Sequence, residues 1–326
     1  MGVCYSNDVQ EIYDKNEERV EHSKKPFIHK KDPFNHQDLE LFKKTAEELS
    51  TELEKTNELY IAEGPYHYNE EYMKDGVERQ LKNLQTIDNN ARYYGFWNSK
   101  TDERDGFGVM IWPDGSRYDG MWEKNKANGE GRLIHADGDV YIGNWVDDKT
   151  SGKGIYKHQD GAVYDGQWED DKQHGIGDES WPDGSMYTGN YVNGMKQGKG
   201  KFRWADGSQY EGEFLENNIH GKGIYKWMDG RVYDGNWKNN KMDGYGVFSW
   251  PDGKKYEGEY VEDKKEGKGV LTWPDGRKYD GEWKNGKQDG KGYYTLNNGV
   301  TYYTLWKEGK KLRDIEDGDK YKQGDN

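Results

Sequence analysis

Cysteine and proline are almost missing from this 326-residue chain, with one of the first and seven of the second. The single cysteine excludes an intramolecular disulfide framework and a cysteine-rich zinc site, and fits a reducing compartment. The few prolines exclude a proline-rich linker. Aliphatic residues are scarce too: Leu, Ile, Val and Phe together number 47, which with a net charge of -14 ordinarily marks a disordered chain. No apolar run is long enough to cross a bilayer and mean hydropathy is -1.32, so neither a transmembrane helix nor a secretory signal is expected. The acidic balance disfavours general nucleic-acid binding. What is present is ring and glycine: 13 Trp, 26 Tyr and 44 Gly, with every Trp beyond residue 92. Apolar burial has moved to aromatic side chains, which can hold a fold together.

These residues recur with a period. Tyr-x-Gly-x-aromatic begins at Tyr93, Tyr118, Tyr141, Tyr164, Tyr187, Tyr210, Tyr233, Tyr256 and Tyr279, with a degenerate tenth at Tyr302. After the first interval the spacing is always 23 residues; the first is 25, because two extra residues sit between Trp97 and Gly106. Each unit continues with Gly-x-Gly, as at Gly106/Gly108 and Gly290/Gly292, and then Asp-Gly, from Asp114-Gly115 to Asp275-Gly276, with Asn298-Gly299 last. Within a unit, Tyr210, Gly212 and Phe214 alternate with Glu211 and Glu213, the period of a half-buried strand. The second strand places Gly221, Gly223, Tyr225 and Trp227 on one face, and Asp229-Gly230 supplies the turn. Each unit therefore reads as a hairpin. Every strand glycine shares a face with rings, so the missing side chain is a seat for a neighbouring aromatic. Four turns read Trp-Pro-Asp-Gly, at Trp112, Trp181, Trp250 and Trp273, where proline sets the first turn dihedral.

On these motifs, residues 93 to 306 closely resemble the MORN repeat (membrane occupation and recognition nexus). The usual His-Gly of that family survives only at His174-Gly175 and His220-Gly221; Asn128, Ser151, Gln197, Asp243, Glu266 and Asp289 precede the glycine elsewhere. The resemblance implies consecutive hairpins laid side by side in one elongated, twisted, single-layer antiparallel sheet, used as a scaffold in cilia, cell cortex and membrane junctions. The period alone leads to the same all-β architecture. Nine hairpins give 18 strands, on the order of 85 Å of sheet at about 4.8 Å per strand.

The two faces of that sheet differ. Outward residues are acidic on first strands (Glu211, Glu257, Asp280) and basic on second strands (Lys199, Lys201, Lys222), which predicts a solvated face of cross-strand charge pairs and a poor phosphoinositide site. The inner face carries an aromatic stripe the length of the rod. A single layer has nothing behind it, so Trp112, Trp181, Trp204, Trp227, Trp250, Trp273 and Tyr225 are the candidate groove for a partner helix or peptide. His135 and His158 stand where other units have Trp, and Glu179 interrupts the apolar series, so residues 131 to 179 form a more polar stretch where a partner could be selected.

Domain limits follow from composition. Residues 1–32 hold an acylation motif and linker: Met1-Gly2-Val3-Cys4-Tyr5-Ser6 fits N-myristoylation at Gly2 with palmitoylation at Cys4, and Lys24 to Lys31 would add attraction to a membrane. Residues 33–92 hold an amphipathic helix, with Leu39, Phe42, Ala46, Leu49, Leu53, Thr56 and Tyr60 at spacings of three and four, started at Asp32-Pro33 or Asn35 and ended by Gly64-Pro65. Its expected place is against the repeats. Val77, Leu81, Leu84 and Ile87, again at helical spacing, are expected to cap the first strand edge. The rod spans 93–306, and residues 307–326 are a charged tail expected to be disordered. No phosphate loop, catalytic constellation or metal-ligand spacing is found, so neither catalytic residues, cofactor, metal nor small-molecule substrate is expected. The reading is a non-catalytic scaffold for partner proteins, tethered to the cytoplasmic side of a membrane or at the cell cortex. Two alternatives are a phosphoinositide-binding regulatory module and a structural part of a ciliary axoneme, such as the assemblies of radial-spoke MORN proteins.

Overall fold

The computed structural model describes residues 35–52 and 57–315. Its body is one antiparallel sheet of 21 strands in which every strand pairs with the strand before and the strand after it in sequence. The sheet is open, since Arg79–Thr86 pairs only with Arg92–Asn98 at one end and Lys310–Asp314 only with Thr301–Lys307 at the other. Nine hairpins supply 18 of these strands; the other three are the two edge strands and Thr301–Lys307. Units are numbered one to nine from Tyr93.

Local chemistry explains the repeat. The turn inside each hairpin from unit two onward has two left-handed residues, as at Glu216 and Asn217 (φ 48° and 68°), the geometry whose twist matches the flanking strands. The second turn residue is Asn or Asp in six units, and its carboxamide or carboxylate oxygen accepts the N–H of a residue one unit earlier: Asn217 from Lys196 (2.8 Å), Asn240 from Ile219 (2.8 Å), Asp263 from Met242 (2.8 Å). The register then shifts beside the first glycine of Gly-x-Gly, as between Gly235 and Trp237, where Gly244 takes φ +98°. The residue before that glycine also reaches along the rod. Gln197, Asp243, Glu266 and Asp289 accept the N–H of Glu216, Glu262, Asn285 and Glu308. An acceptor oxygen is what these four positions share.

The glycine seats expected from the sequence are present. Gly212 and Gly223 face each other in register, and a Cβ on either would collide with the Tyr210 ring; Gly235 and Gly246 stand in the same relation to Tyr233. Each first-position tyrosine is buried, and its hydroxyl donates to a carbonyl three residues on, as Tyr210 to Glu213 (2.9 Å) and Tyr233 to Asn236 (3.0 Å). Burial raises the pKa of this row, Tyr279 to about 12. Fifth-position rings stand edge-on between successive tyrosines: Trp122 lies 5.3 Å from both Tyr93 and Tyr118, and Trp237 lies 5.7 Å from Tyr210 and 5.1 Å from Tyr233. Each such pair contributes roughly 0.5–1.5 kcal/mol beyond burial. The herringbone binds each unit to the next, as a solenoid requires.

The outer face is not uniformly solvated, a correction to the charge-pair expectation. At one end it is apolar: Tyr94, Phe96, Phe107, Val109 and Ile111 of unit one and Met121 of unit two form a second core. The N-terminal segment covers them. Helix α1 (His36–Glu48), capped by the Asn35 side chain accepting the Gln37 N–H at 3.0 Å, buries Leu39, Phe42 and Ala46 there, with Phe42 stacked 5.5 Å from Tyr94. The amphipathic segment is not one helix: α1 gives way to a 3-10 turn at Leu49–Glu52, and a separate α2 spans Asn57–Glu63. Tyr60 of α2 covers Ile134 and Val140, and its ring carries the Arg117 and Arg132 guanidinium groups at 4.3 and 4.8 Å. Arg117 and Asp119 are wholly buried, paired at 2.6 Å, and Arg117 donates to the Ala46 carbonyl at 2.8 Å while Arg132 donates to that of Gly64 at 2.7 Å. The segment Val77–Ile87, read as helical, is instead a strand over Arg79–Thr86 with a register shift between Lys82 and Gln85. That shift breaks the two-residue alternation and leaves the apolar residues at spacings that imitate a helix. The tail beyond Lys307 likewise adds a strand, Lys310–Asp314. Gly2, Cys4, Lys24 to Lys31, Leu53, Thr56 and the end of the tail lie outside the described residues.

Candidate partner-binding groove

The inner face carries rings in two rows. The fifth-position row is mostly closed: Trp122, Trp145, Trp237 and Trp283 are buried, with Trp168 partly exposed, and the indole N–H groups of these buried four donate to glycine carbonyls of the preceding unit, as Trp237 to Gly223 (3.1 Å) and Trp283 to Gly269 (2.9 Å). The second row runs along the Asp-Gly turns and stays partly exposed. There the tryptophan backbone N–H and C=O close the turn, Trp227 donating to the Arg231 carbonyl (2.9 Å) and accepting from Gly230 (3.0 Å), so each tryptophan stands at a strand end. Its neighbour is the strand residue two positions earlier, and together they form a continuous ladder. Ring centres are separated by 5.5 Å from Trp181 to Phe202, 4.6 Å to Trp204, 5.0 Å to Tyr225, 4.5 Å to Trp227, 5.1 Å to Phe248 and 4.4 Å to Trp250.

All seven residues singled out from the sequence, Trp112, Trp181, Trp204, Trp227, Trp250, Trp273 and Tyr225, are partly exposed. Trp181, Trp204, Tyr225, Trp227 and Trp250 lie in the unbroken ladder; Leu271 separates Trp273 from it, and Trp112 stands apart beside unit one. Phe202 and Phe248 belong to the ladder as well. Their signal was position: each precedes a turn tryptophan by two residues, as Tyr225 does. In the polar stretch of units two to four, two carboxylates have partners within the chain. Asp139 accepts the Tyr156 hydroxyl (2.7 Å) and lies 3.3 Å from His158 Nδ1, and Glu179 accepts the Tyr191 hydroxyl (2.7 Å) and the Lys196 ammonium (2.6 Å).

Among the described residues no group of His, Cys, Asp and Glu is placed to hold a metal ion, and no helix is long and apolar enough to cross a membrane. An open antiparallel sheet of successive hairpins, with one mostly buried and one partly exposed row of rings, defines the class: a single-layer repeat protein. The MORN repeat model matches residues 101–117, 118–140, 141–163, 164–186, 187–209, 210–230, 233–255, 256–276 and 279–301, more than half of the chain, and the protein belongs to the MORN repeat family. No curated protein matches it in sequence. Among solved structures it is similar to the G-box domain of the microcephaly protein CPAP, with 12% identity over 62% of this chain and 100% of that one, at a TM-score of 0.35. A second is the SAS-4 (dCPAP) TCP domain of Drosophila melanogaster in complex with a proline-rich motif of Ana2 (dSTIL), with 14% identity over 56% and 97% of the two chains and a TM-score of 0.32. At such scores neither likeness bears on function.

Proposed function

We propose that this protein is a non-catalytic scaffold whose inner groove holds a segment of a partner protein, and that acylation at Gly2 and Cys4 tethers it to the cytoplasmic face of a membrane. The observation that carries the first part is the unsealed ladder from Trp181 to Trp250. Its rings pack on one another in stacked and tilted pairs, yet they stay mostly part-exposed, and an accessible aromatic strip of this length is a surface a helix or extended peptide can cover. The tether rests on the sequence: the only cysteine stands two residues from the glycine of a Met-Gly-x-x-x-Ser start, and two acyl chains anchor where one does not. The double variant Trp204→Ala, Trp227→Ala should lose a co-purifying partner while keeping its far-ultraviolet spectrum; retained capture refutes the groove. Separately, Gly2→Ala, Cys4→Ser should move the protein out of the membrane fraction without loss of the partner, and an unmodified mass with recovery in a cytoskeletal fraction would favour the axonemal role.

A further inference from the structure

Lys196 and Lys265 hold the same place in the repeat, three units apart, and so do Trp181 and Trp250, Tyr187 and Tyr256, and Glu179 and Phe248. Both lysines start opposite a buried fifth-position ring, Lys196 across from Tyr191 and Lys265 across from Tyr260, and both lay their side chains over the inner face. The Lys196 ammonium passes 4.9 Å from the Tyr187 ring centre and 5.0 Å from that of Trp181, and ends on the Glu179 carboxylate at 2.6 Å. That site is closed by the chain's own anion. The Lys265 ammonium lies 5.0 Å from Tyr256, 5.4 Å from Trp250 and 5.5 Å from Trp283, but Phe248 stands where the carboxylate would be. Lys254 brings a second ammonium to 4.8 Å from the same Trp250 ring. Among the described residues no carboxylate forms an ion pair with either lysine, whereas Arg231 and Arg277 on the neighbouring turns each hold an aspartate at 2.7 Å. Burial, and then the Lys254 charge, pull the Lys265 pKa below the usual lysine value. Aromatic faces offset part of the cost of that charge, but a desolvated ammonium is stabilised fully only by an anion.

We propose that Lys254 and Lys265, seated on Trp250, receive an aspartate or glutamate side chain of the bound partner, which is therefore an acidic segment. This deepens the groove reading and depends on it. It also gives a repetitive surface a register: nine similar units cannot by themselves tell a partner where to stop sliding, but one uncompensated cation pair between units seven and eight can, while Glu179 already fills the equivalent place between units four and five.

The test uses the full chain and phage-displayed random peptides as the probe, with the affinity of selected peptides read by fluorescence anisotropy against the wild type, Lys265→Met, Phe248→Glu and Trp227→Ala. Methionine already occupies the lysine's place at Met242, so Lys265→Met should fold. Selected peptides should be rich in Asp and Glu, and should lose affinity about ten-fold in Lys265→Met, and comparably in Phe248→Glu, which supplies the carboxylate from within. Peptides without acidic enrichment that fail on Trp227→Ala but not on Lys265→Met would leave the groove standing and overturn the acidic assignment. Peptides indifferent to all three substitutions would overturn both. Vesicles carrying phosphatidylinositol bisphosphate form a parallel arm: binding removed by Lys265→Met, with no acidic peptide selected, would assign the cations to lipid phosphate and overturn the proposal.

Discussion

The first two hairpins and the last six are built from one motif but solve burial differently. Strand Arg104–Ile111, in unit one, is buried at seven consecutive positions, because tyrosine and tryptophan close its inner face and α1 its outer face. Strand Met195–Arg203, in unit five, has no fully buried residue; its outer face is charged and only its inner side packs. The difference teaches that the ring-and-glycine herringbone sustains a single layer without help, since it runs unchanged through both regions. The second layer is added only where outward positions turn apolar. The N-terminal helices therefore occupy the outer face at one end, and the ladder on the inner face remains open.

The sharpest way to break this comparison is to make the same substitution in both regions. Asp119 and Asp234 both follow the first-position tyrosine, but Asp119 is buried with Arg117 and Asp234 is exposed. Asp119→Ala strands buried guanidinium charge and should cost about 3–5 kcal/mol in urea unfolding, with early loss of helical signal. Asp234→Ala should leave the midpoint unchanged, and equal costs would refute the two-region description. Trp237→Ala and Trp227→Ala contrast the two ring rows. The first empties a sealed seat and should cost about 3–5 kcal/mol, the second clearly less, with its main effect on partner binding.

Other changes should be blind to region because they strike what both share. Gly131→Ala and Gly223→Ala each place a methyl group in a tyrosine ring, Tyr118 or Tyr210, and should cost about 1–3 kcal/mol alike. Alkali should act on the whole rod. Tyr279 has its folded pKa raised to about 12, above the ordinary value of 10.0, so the unfolded chain gives up that proton first. Its contribution is complete below about pH 10 and lost as pH rises through about 12, and tyrosinate absorbance should appear together with unfolding rather than before it. Among the changes that strike both regions the smallest effect belongs to Asp263→Ala, which removes one inter-unit hydrogen bond to the Met242 N–H, about 1 kcal/mol by calorimetry.

Much of this was legible because it is local. The period, the hairpins and the glycine seats follow from alternation inside Tyr210–Phe214 and Gly221–Trp227, and so does the set of partly exposed tryptophans. Features that depend on contacts between distant segments were harder to see. Tyr94, Phe96 and Phe107 are apolar where later units mostly carry polar or charged residues, a signal that the outer face at unit one is covered, but it is visible only by comparing units. The strand at Arg79–Thr86 was hidden by its register shift. The Asn217-type acceptors bond one unit back, and only their recurrence at Asn240 and Asp263 reveals them.

Photo-crosslinking tests most directly whether the open ladder is the surface that works. Benzoylphenylalanine placed at Trp204 on the inner face and at Glu211 on the outer face would be irradiated in native cells and the products identified by mass. Crosslinking of one and the same protein from Trp204, with none from Glu211, is the expected result. A partner captured from Glu211 and not from Trp204 would put the binding surface on the wrong side of the sheet and contradict the groove.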